Sequence, residues 1–407
     1  MSTVFLHVGQ CGNQTGRSFW KTVIKDQSAN DSHTFVDHNG IQRSVHVDSE
    51  PKVIWSLTRS MNVREKNVCA GKRGRGSNWA LGYHGVQSTG DDHLTDDAME
   101  CLRKEVERCD HYMGVVLMHS LSGGTGSGLG SRLCELIREE YPMNYLMSCA
   151  IAPCVSGESP LQHYNSLLTL SHLHRYTDGV VLMHNDEILR KLQKRNEKSV
   201  SFSAMNQSIA NSLCGVFLPT ESLTPSSGCS TGMEPWDMVR TLCPMPSLKF
   251  IHILQHARSK VGWDRLATQT LHSLQRYNTH GKPFKSVANL VVGRGDSSQS
   301  FLAAMKRGVE DKIKSSYSCV AWNPMPVDYW SARRNALGPR DSSSITIAAN
   351  YGSVVDYLET VLERSKVMFE AGAYLHWYDR YGVSTDTFEA AFETLSSVID
   401  DYKEALS

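Results

Sequence analysis

The chain of 407 residues has no net charge to spend on a polyanion: 42 Lys plus Arg meet 42 Asp plus Glu. Without bulk positive charge, neither nucleic acid nor an anionic membrane surface is an expected partner. Long apolar runs are missing too. The longest, such as Met113–Met118 and Val287–Val292, have strand length, far short of the roughly 20 residues that span a bilayer, so no membrane insertion is expected. The start, Met1-Ser2-Thr3-Val4-Phe5-Leu6-His7-Val8, lacks the basic and apolar regions of a secretory leader. The 11 cysteines include no C-x-x-C pair, and Cys149 with Cys154 has no second knuckle for zinc. Reduced thiols in the cytoplasm are the expectation. Heptad runs and internal repeats are also absent. What remains, at 40% hydrophobic and 21% charged residues, is a globular chain with enough material for a large core. At roughly 150 residues per domain its length suggests two or three domains.

Short apolar runs alternate with amphipathic helical patterns through the first half. Thr3–Val8 reads as a buried strand, Gly9–Gly12 as a tight turn, and Asn13 to about Lys25 as a helix. Strands are expected at Val45–Val47, Met113–His119, Leu146–Ile151 and Gly179–His184. Helices are expected over Asp96–Cys109, around Leu129–Tyr141 and over Asn185–Asn196. Strand, turn and helix in alternation is the pattern of a doubly wound parallel sheet. The pattern changes past residue 200. A helix over Ser201–Leu218 leads into residues 219–235, whose Ser, Thr, Pro and Gly mark a loop. Strands at Leu248–Leu254, Ser286–Val292 and Ser344–Ala349, with a helix at about Asp264–Tyr277, predict a smaller mixed α/β domain. Two helices close the chain, and the stripe Phe388, Phe392, Leu395, Ile399, Tyr402 on the second predicts packing on the body of the protein. The expected boundaries are 1–200, 201–350 and 351–407.

The segment that carries chemistry is Ser122-Gly123-Gly124-Thr125-Gly126-Ser127-Gly128. It sits between an apolar strand and an amphipathic helix, where backbone N–H groups and a helix N-terminus can receive phosphate. Glycine permits close approach and positive φ, and Thr125 and Ser127 supply hydroxyls. No Lys follows, so this is not a Walker loop, and it lacks the G-x-G-x-x-G spacing of a dinucleotide site. Three further segments support it. Gly9–Gly16 is a second glycine-punctuated turn. Asp48 and Glu50 put two carboxylates at a strand end, where they can hold Mg²⁺ directly or through water. Gly74–Gly85, with Ser77 and Asn78, reads as a loop with backbone donors. All follow successive strands and can converge on one sheet edge.

The runs G-Q-C-G-N-Q at 9–14, V-D-S-E-P at 47–51, S-N-W-A-L-G at 77–82 and G-G-T-G-S-G at 123–128 resemble the tubulin superfamily. So do Tyr164-Asn165, H-N-D-E-I at 184–188 and H-W-Y at 376–378, in the same order almost end to end. The glycine signature is shared with bacterial FtsZ; the Cys11 turn, the H-W-Y and the terminal helices point to eukaryotic tubulin. Residues 164–173 look most like the delta members, with zeta the close alternative. The resemblance implies a tubulin/FtsZ-like α/β fold, with a doubly wound GTP-binding domain, a smaller mixed α/β domain and C-terminal helices. It also implies GTP or GDP with Mg as cofactors.

Carried over residue by residue, the resemblance puts Gly123, Gly124, Thr125, Gly126 and Ser127 on the phosphates, with Gln10, Cys11 and Gln14 lining the nucleotide. Asp48 and Glu50 fall near Mg and the terminal phosphate. Asn185 and Asn206 match the two amides that read guanine, and Phe202 takes the place of the stacking ring. Ser122 replaces a further Gly. A carboxylate is usual where Gln162 aligns, and Glu158 stands in for it. Asp237 aligns with the acid that reaches a neighbouring subunit's nucleotide, although Met233-Glu234-Pro235-Trp236 departs from the usual motif before it. An isolated monomer is therefore expected to be at most a weak GTPase, dependent on assembly. Three departures bear on polymers: the short region from Gln255 to Leu266, the altered stretch 219–235, and a final segment without a Glu-rich tail. They imply a tubulin that does not build ordinary microtubule walls. Its expected place is the cytoplasmic cytoskeleton, at a centrosome, centriole, basal body or cilium. Its expected partners are other tubulins or centriolar proteins, by homo- or hetero-association. The competing readings are a polymerising GTPase, a nucleotide-free pseudo-tubulin, and an NAD oxidoreductase, against which the absent G-x-G-x-x-G and the Asn pair argue.

Overall fold

A computed structural model describes residues 2–26, 34–85, 93–156, 159–194, 200–220, 235–339 and 341–407. The chain forms two compact units. The first comprises Met1–Ser18, His33–Val200 and Tyr357–Asp400, and the second Phe19–Ser32, Ser201–Asp356 and Asp401–Ser407.

Six strands build the first unit: β1 (Ser2–Val8), β2 (Ser44–Asp48), β3 (Val68–Ala70), β4 (Tyr112–Ser120), β5 (Tyr145–Ala152) and β6 (Gly179–His184). Their spatial order is β3-β2-β1-β4-β5-β6, and every neighbouring pair is parallel. Because helices cover both faces, these strands read as continuous apolar runs, and β1 and β2 are buried throughout. The connecting helices are α1 (Gly9–Lys25), α2 (Pro51–Thr58), α3 (Trp79–His84), α4 (Leu94–Glu107), α5 (Gly130–Glu140), α6 (Gln162–Tyr176) and α7 (Asn185–Gln193). The chain builds outward from β1 to β3, then returns to β4 and builds the other way. In open α/β sheets that switch point is where ligands bind.

The second unit carries α8 (Phe202–Phe217), α9 (Pro235–Leu242), α10 (Trp263–Leu271), α11 (Ser298–Ala304) and α12 (Glu310–Tyr317) around β7 (Phe250–Ser259), β8 (Ser286–Arg294), β9 (Val327–Ala332) and β10 (Ser342–Tyr351). Here β10 runs antiparallel to both β7 and β8, while β9 joins β8 in parallel. Trp263, Leu266, Phe301, Ile313, Tyr317, Ile347 and Tyr351 pack its core. Arg294, wholly buried, donates to the carbonyls of Gly215 at 3.1 Å and Pro219 at 3.0 Å and also to that of Leu218. It thereby satisfies carbonyls that the end of α8 leaves open. The closing helices are α13 (Val354–Glu370), α14 (Leu375–Asp379) and α15 (Thr385–Ala405), and the stripe from Phe388 to Tyr402 is buried as its spacing predicts.

Several local expectations are corrected. The turn expected at Gly9–Gly12 is compressed into Gly9 alone, whose φ of +74° reverses the chain so that α1 starts there. The loop expected over Gly74–Gly85 becomes helical at Trp79, because the Asn78 side chain accepts a cap from the Leu81 N–H at 3.2 Å. The helix expected to reach Tyr277 ends at Leu271. Strands β3 and β9, and helices α2, α6, α11, α12 and α14, were not anticipated. β3 is only three residues long, and in the run from 298 to 317 Gly308, at φ +127°, breaks the helical period.

Candidate functional site

The C-terminal ends of β1, β2, β3, β4, β5 and β6 lie along one edge of the first unit's sheet, and the motifs follow them in turn. Gly9 follows β1, Ser49 and Glu50 follow β2, the 71–78 loop follows β3, the glycine segment follows β4, and Asn185 opens α7 after β6. At the switch point the β1 and β4 turns touch, since a Cβ on Gly9 would lie 3.0 Å from the Gly126 nitrogen. The acidic turn joins them through Ser49 Oγ and Thr125 Oγ1, 2.6 Å apart.

The glycine segment differs from expectation in its backbone. None of Gly123, Gly124, Gly126 and Gly128 has positive φ; Gly124 is helical at φ −53°, and Thr125–Leu129 is a wide helical turn leading into α5. Ser122 is therefore no strain. These residues are glycine for closeness. A Cβ on Gly128 would meet the Trp79 carbonyl oxygen at 2.1 Å, and one on Gly124 would lie 2.5 Å from the Arg75 carbonyl oxygen. The segment thus lies flat against α3 and the loop before it.

Buried side chains hold that arrangement. Asn165, fully buried on α6, donates to the carbonyls of Ser77 at 2.8 Å and Ser122 at 2.7 Å. Its oxygen accepts from the Trp79 N–H at 3.0 Å and the Tyr378 hydroxyl at 2.7 Å. One amide uses its whole bonding capacity to tie the glycine segment, the Ser77 loop, the start of α3 and α14 together. His119 of β4 bonds the Gly126 carbonyl through Nδ1 at 2.9 Å and Ser148 Oγ through Nε2 at 2.8 Å. A carbonyl only accepts, so Nδ1 carries the proton; burial lowers the pKa to about 4 and keeps the ring neutral. Asn13 donates to the carbonyls of Gly9 and Val47, both at 3.0 Å, and accepts from His46 Nδ1 at 2.9 Å, which locks the β1 turn against β2.

Two open atoms lie beside these bonded side chains. Asp48 is 4% exposed, yet its Oδ2 has no hydrogen-bond partner among the described residues, and neither has the buried Ser127 hydroxyl. Loss of water, then the charge of Glu50, raises the Asp48 pKa from 3.8 to about 6. A bound cation would relieve both effects. Glu50 is exposed, and its carboxylate lies against Gly74, where a Cβ would be 2.5 Å away. No group of three His, Cys, Asp or Glu fit to hold a metal occurs among the described residues. Two acidic side chains with the remaining positions left to phosphate and water is the donor set Mg²⁺ accepts, so these residues fit it.

The other predicted residues are placed as follows. Gln10 and Ser77 are exposed, Cys11 and Gln14 half-buried on α1, and Asn78 buried. Burial raises the Cys11 thiol to about 11, keeping it protonated. Gln162 is buried, its amide 3.5 Å from the Cys154 carbonyl. Glu158 lies outside the described residues, as do 221–234. Phe202 and Asn206 belong to the second unit, on the first turns of α8; Phe202 is 69% exposed, and Ser201 caps the helix by accepting from Ala204 N–H at 3.2 Å. Asp237, in the first turn of α9, pairs with Arg240. Sequence reasoning missed the roles of Asn165, His119 and Asn13. His119 carried a signal, a polar residue closing the apolar run Met113–Met118, whereas Asn13 and Asn165 stand among polar and glycine neighbours and carried none.

A parallel sheet with a glycine turn, a hydroxyl and a cation-seeking carboxylate gathered at its switch point defines an α/β protein of the nucleotide-binding class. Residues 2–193 match the family described as Tubulin/FtsZ family, GTPase domain. The chain is 30% identical to the tubulin delta chain of Homo sapiens and 29% to that of Macaca fascicularis, in both cases over 99% of each protein. It is 26% identical to the tubulin beta chain of Saccharomyces cerevisiae, over 98% of its own length and 92% of that protein. The chain belongs to the tubulin family.

Proposed function

We propose that this chain is a guanine-nucleotide-binding tubulin of the centriole or basal-body cytoskeleton, structural rather than metabolic in role. The observation that carries the nucleotide site is the placement of two buried atoms without a partner among the described residues, Asp48 Oδ2 at the end of β2 and Ser127 Oγ in the segment after β4, on an edge that Asn165 and His119 hold by their hydrogen bonds. Buried polar groups are stabilised by hydrogen bonds, and two open ones beside the glycine turn support a ligand that completes the bonding there. In this reading the 123–128 backbone and Ser127 take the phosphates, and Gln10, Cys11, Gln14, Ser77 and Asn78 line the nucleotide. Asn185, Phe202 and Asn206 read the base, with Glu158 assigned to the ribose. Asp48 and Glu50 hold Mg²⁺, which supplies charge neutralisation for the phosphates.

The delta-chain relatives and the shape of one connection favour the centriolar role over ordinary microtubule walls. Only residues 260–262 join β7 to α10, leaving no length for a long lateral loop there. The exposed Tyr374 and Trp377, beside a groove of about 290 Å³ that Asn78 also lines, offer an aromatic surface to another tubulin. Asp237 would act only on a neighbouring subunit's nucleotide, so dilute monomer should hydrolyse GTP negligibly.

The test is nucleotide content. Denaturing the purified chain and separating what is released by anion exchange should yield close to one guanine nucleotide per chain. A preparation that is empty and takes up no added GTP overturns the proposal in favour of a pseudo-tubulin. Phosphate release per chain that rises with protein concentration, together with pelleting, would instead support the polymerising GTPase.

A further inference from the structure

On the outermost strand of the first unit's sheet and the helix packed on it, two thiols face one another. Cys69 is the middle residue of β3 and is buried; Cys101 lies on α4 and is half-buried. Their sulfurs are 3.4 Å apart, with the Cys69 thiol donating to Cys101. In its own thiol form Cys101 donates to the Lys66 carbonyl at 2.9 Å. The hydrogen bond from Cys69 and then the charge of Lys104 favour the Cys101 thiolate, against partial burial and the nearby Asp97 and Glu100; the balance lowers its pKa. The same hydrogen bond, with burial, pushes Cys69 up. Cys134 and Cys149 are the contrast: both are fully buried, and burial alone raises Cys149 while it dominates for Cys134. Reactive cysteines are accessible and thiolate-prone, whereas buried apolar ones are inert.

We propose that Cys69 and Cys101 form a hydroperoxide-reactive dithiol, in which Cys101 is oxidised first and Cys69 resolves it to a reversible disulfide. The Cys101 thiolate attacks one oxygen of hydrogen peroxide. The O–O bond breaks, hydroxide leaves and takes up a proton as water, and Cys101 becomes a sulfenic acid. The Cys69 sulfur then attacks the sulfenic sulfur; the S–O bond breaks, and a second water leaves with the Cys69 proton. The dithiol has lost two electrons and peroxide has become two waters. The new bond would fasten α4 to β3, whose Ala70 pairs in register with Asp48 on β2. Oxidation therefore acts on the strand beside the acidic pair. A thiol reductant reverses it by exchange.

The experiment uses the full chain, reduced, desalted and treated with increasing hydrogen peroxide. Tryptic peptides 67–72 and 76–103 are then followed by non-reducing mass spectrometry. Their crosslink should form at least tenfold faster than any modification of Cys134 or Cys149, and dithiothreitol should remove it. In a Cys69→Ser variant whose circular dichroism matches the parent, dimedone should label Cys101 in place of the crosslink. Oxidation spread evenly over the cysteines, or a Cys69–Cys101 bond that forms only in urea, overturns the proposal. Because the wild-type crosslink needs no variant, a misfolded Cys69→Ser chain leaves the first readout decisive.

Discussion

The two units bury polar groups to different ends. In the second, Arg294 is surrounded by three carbonyls at the end of α8, and Asn350 donates to the carbonyls of Leu242 and Leu248 while accepting from the Tyr402 hydroxyl. Those bonds close on themselves and specify a core. In the first unit Asn165, His119 and Asn13 are just as fully engaged, but each bonds the backbone of a loop at the sheet's edge. Beyond them lie Asp48 Oδ2 and Ser127 Oγ, without a partner among the described residues. A polar group that is buried and satisfied reports on stability. Open buried atoms also occur in the second unit, Asn289 Oδ1 and Thr346 Oγ1 among them; those of Asp48 and Ser127 differ in lying beside the glycine turn at the sheet's switch point, and that place is what favours a ligand there.

The strongest test of that division is Asn165→Leu. It leaves two carbonyls, a backbone N–H and a tyrosine hydroxyl without their partner, at a cost of roughly 3–5 kcal/mol by urea denaturation. Amide exchange should rise in 77–84 and 122–128 first. Next in size is Arg294→Met, expected to cost about 3 kcal/mol with nucleotide content per folded chain unchanged. If Arg294→Met empties the chain of nucleotide as readily as a change at Asp48 does, the two kinds of burial are not separate.

The pH dependence of Asp48 is of similar order. Its folded pKa, raised to about 6, means the folded state holds the proton more tightly than the unfolded chain. In the nucleotide-free protein this stability is present below pH 4 and is lost as pH rises through 6, on the order of 2–3 kcal/mol. Stability curves of wild type and Asp48→Asn should diverge over that window, and Mg²⁺ with nucleotide should abolish the divergence. At pH 7 the same variant should bind guanine nucleotide about tenfold more weakly with Mg²⁺ present, or about 1.4 kcal/mol, and lose little of that affinity when Mg²⁺ is removed. The smallest effect is expected of Phe202→Ala. As an exposed ring it should leave stability within about 0.5 kcal/mol, yet weaken guanine-nucleotide binding about fivefold if it stacks on the base. Equal binding by isothermal titration would remove Phe202 from the site.

Much of the first unit was legible because its strands are buried on both faces and announce themselves as apolar runs; Gly179–His184 matches the expected strand at both ends. The motif positions were legible for the same reason, since a loop after a parallel strand must lie at the sheet's C-terminal edge. The second unit was less readable. β9, Val-Asp-Tyr-Trp-Ser-Ala, carries no apolar run, and its place is decided by pairing with β8. The reason for the glycines was read only in part: positive φ and close approach to an anion were expected, and the structure has negative φ with close approach to α3 and the loop before it.

The sequence by itself determined the family, the order of the chemistry-bearing segments and the residue types available to a nucleotide, because these rest on local pattern and spacing. Only the tertiary structure decided that Asn165, some 40 positions along the chain from Ser122 and over 200 from Tyr378, is their common partner. It alone decided that Asp48 is short of a bond and that Cys69 faces Cys101. Hydrogen-bond satisfaction and desolvation are properties of a place in space, and no single stretch of chain contains all the atoms that define that place.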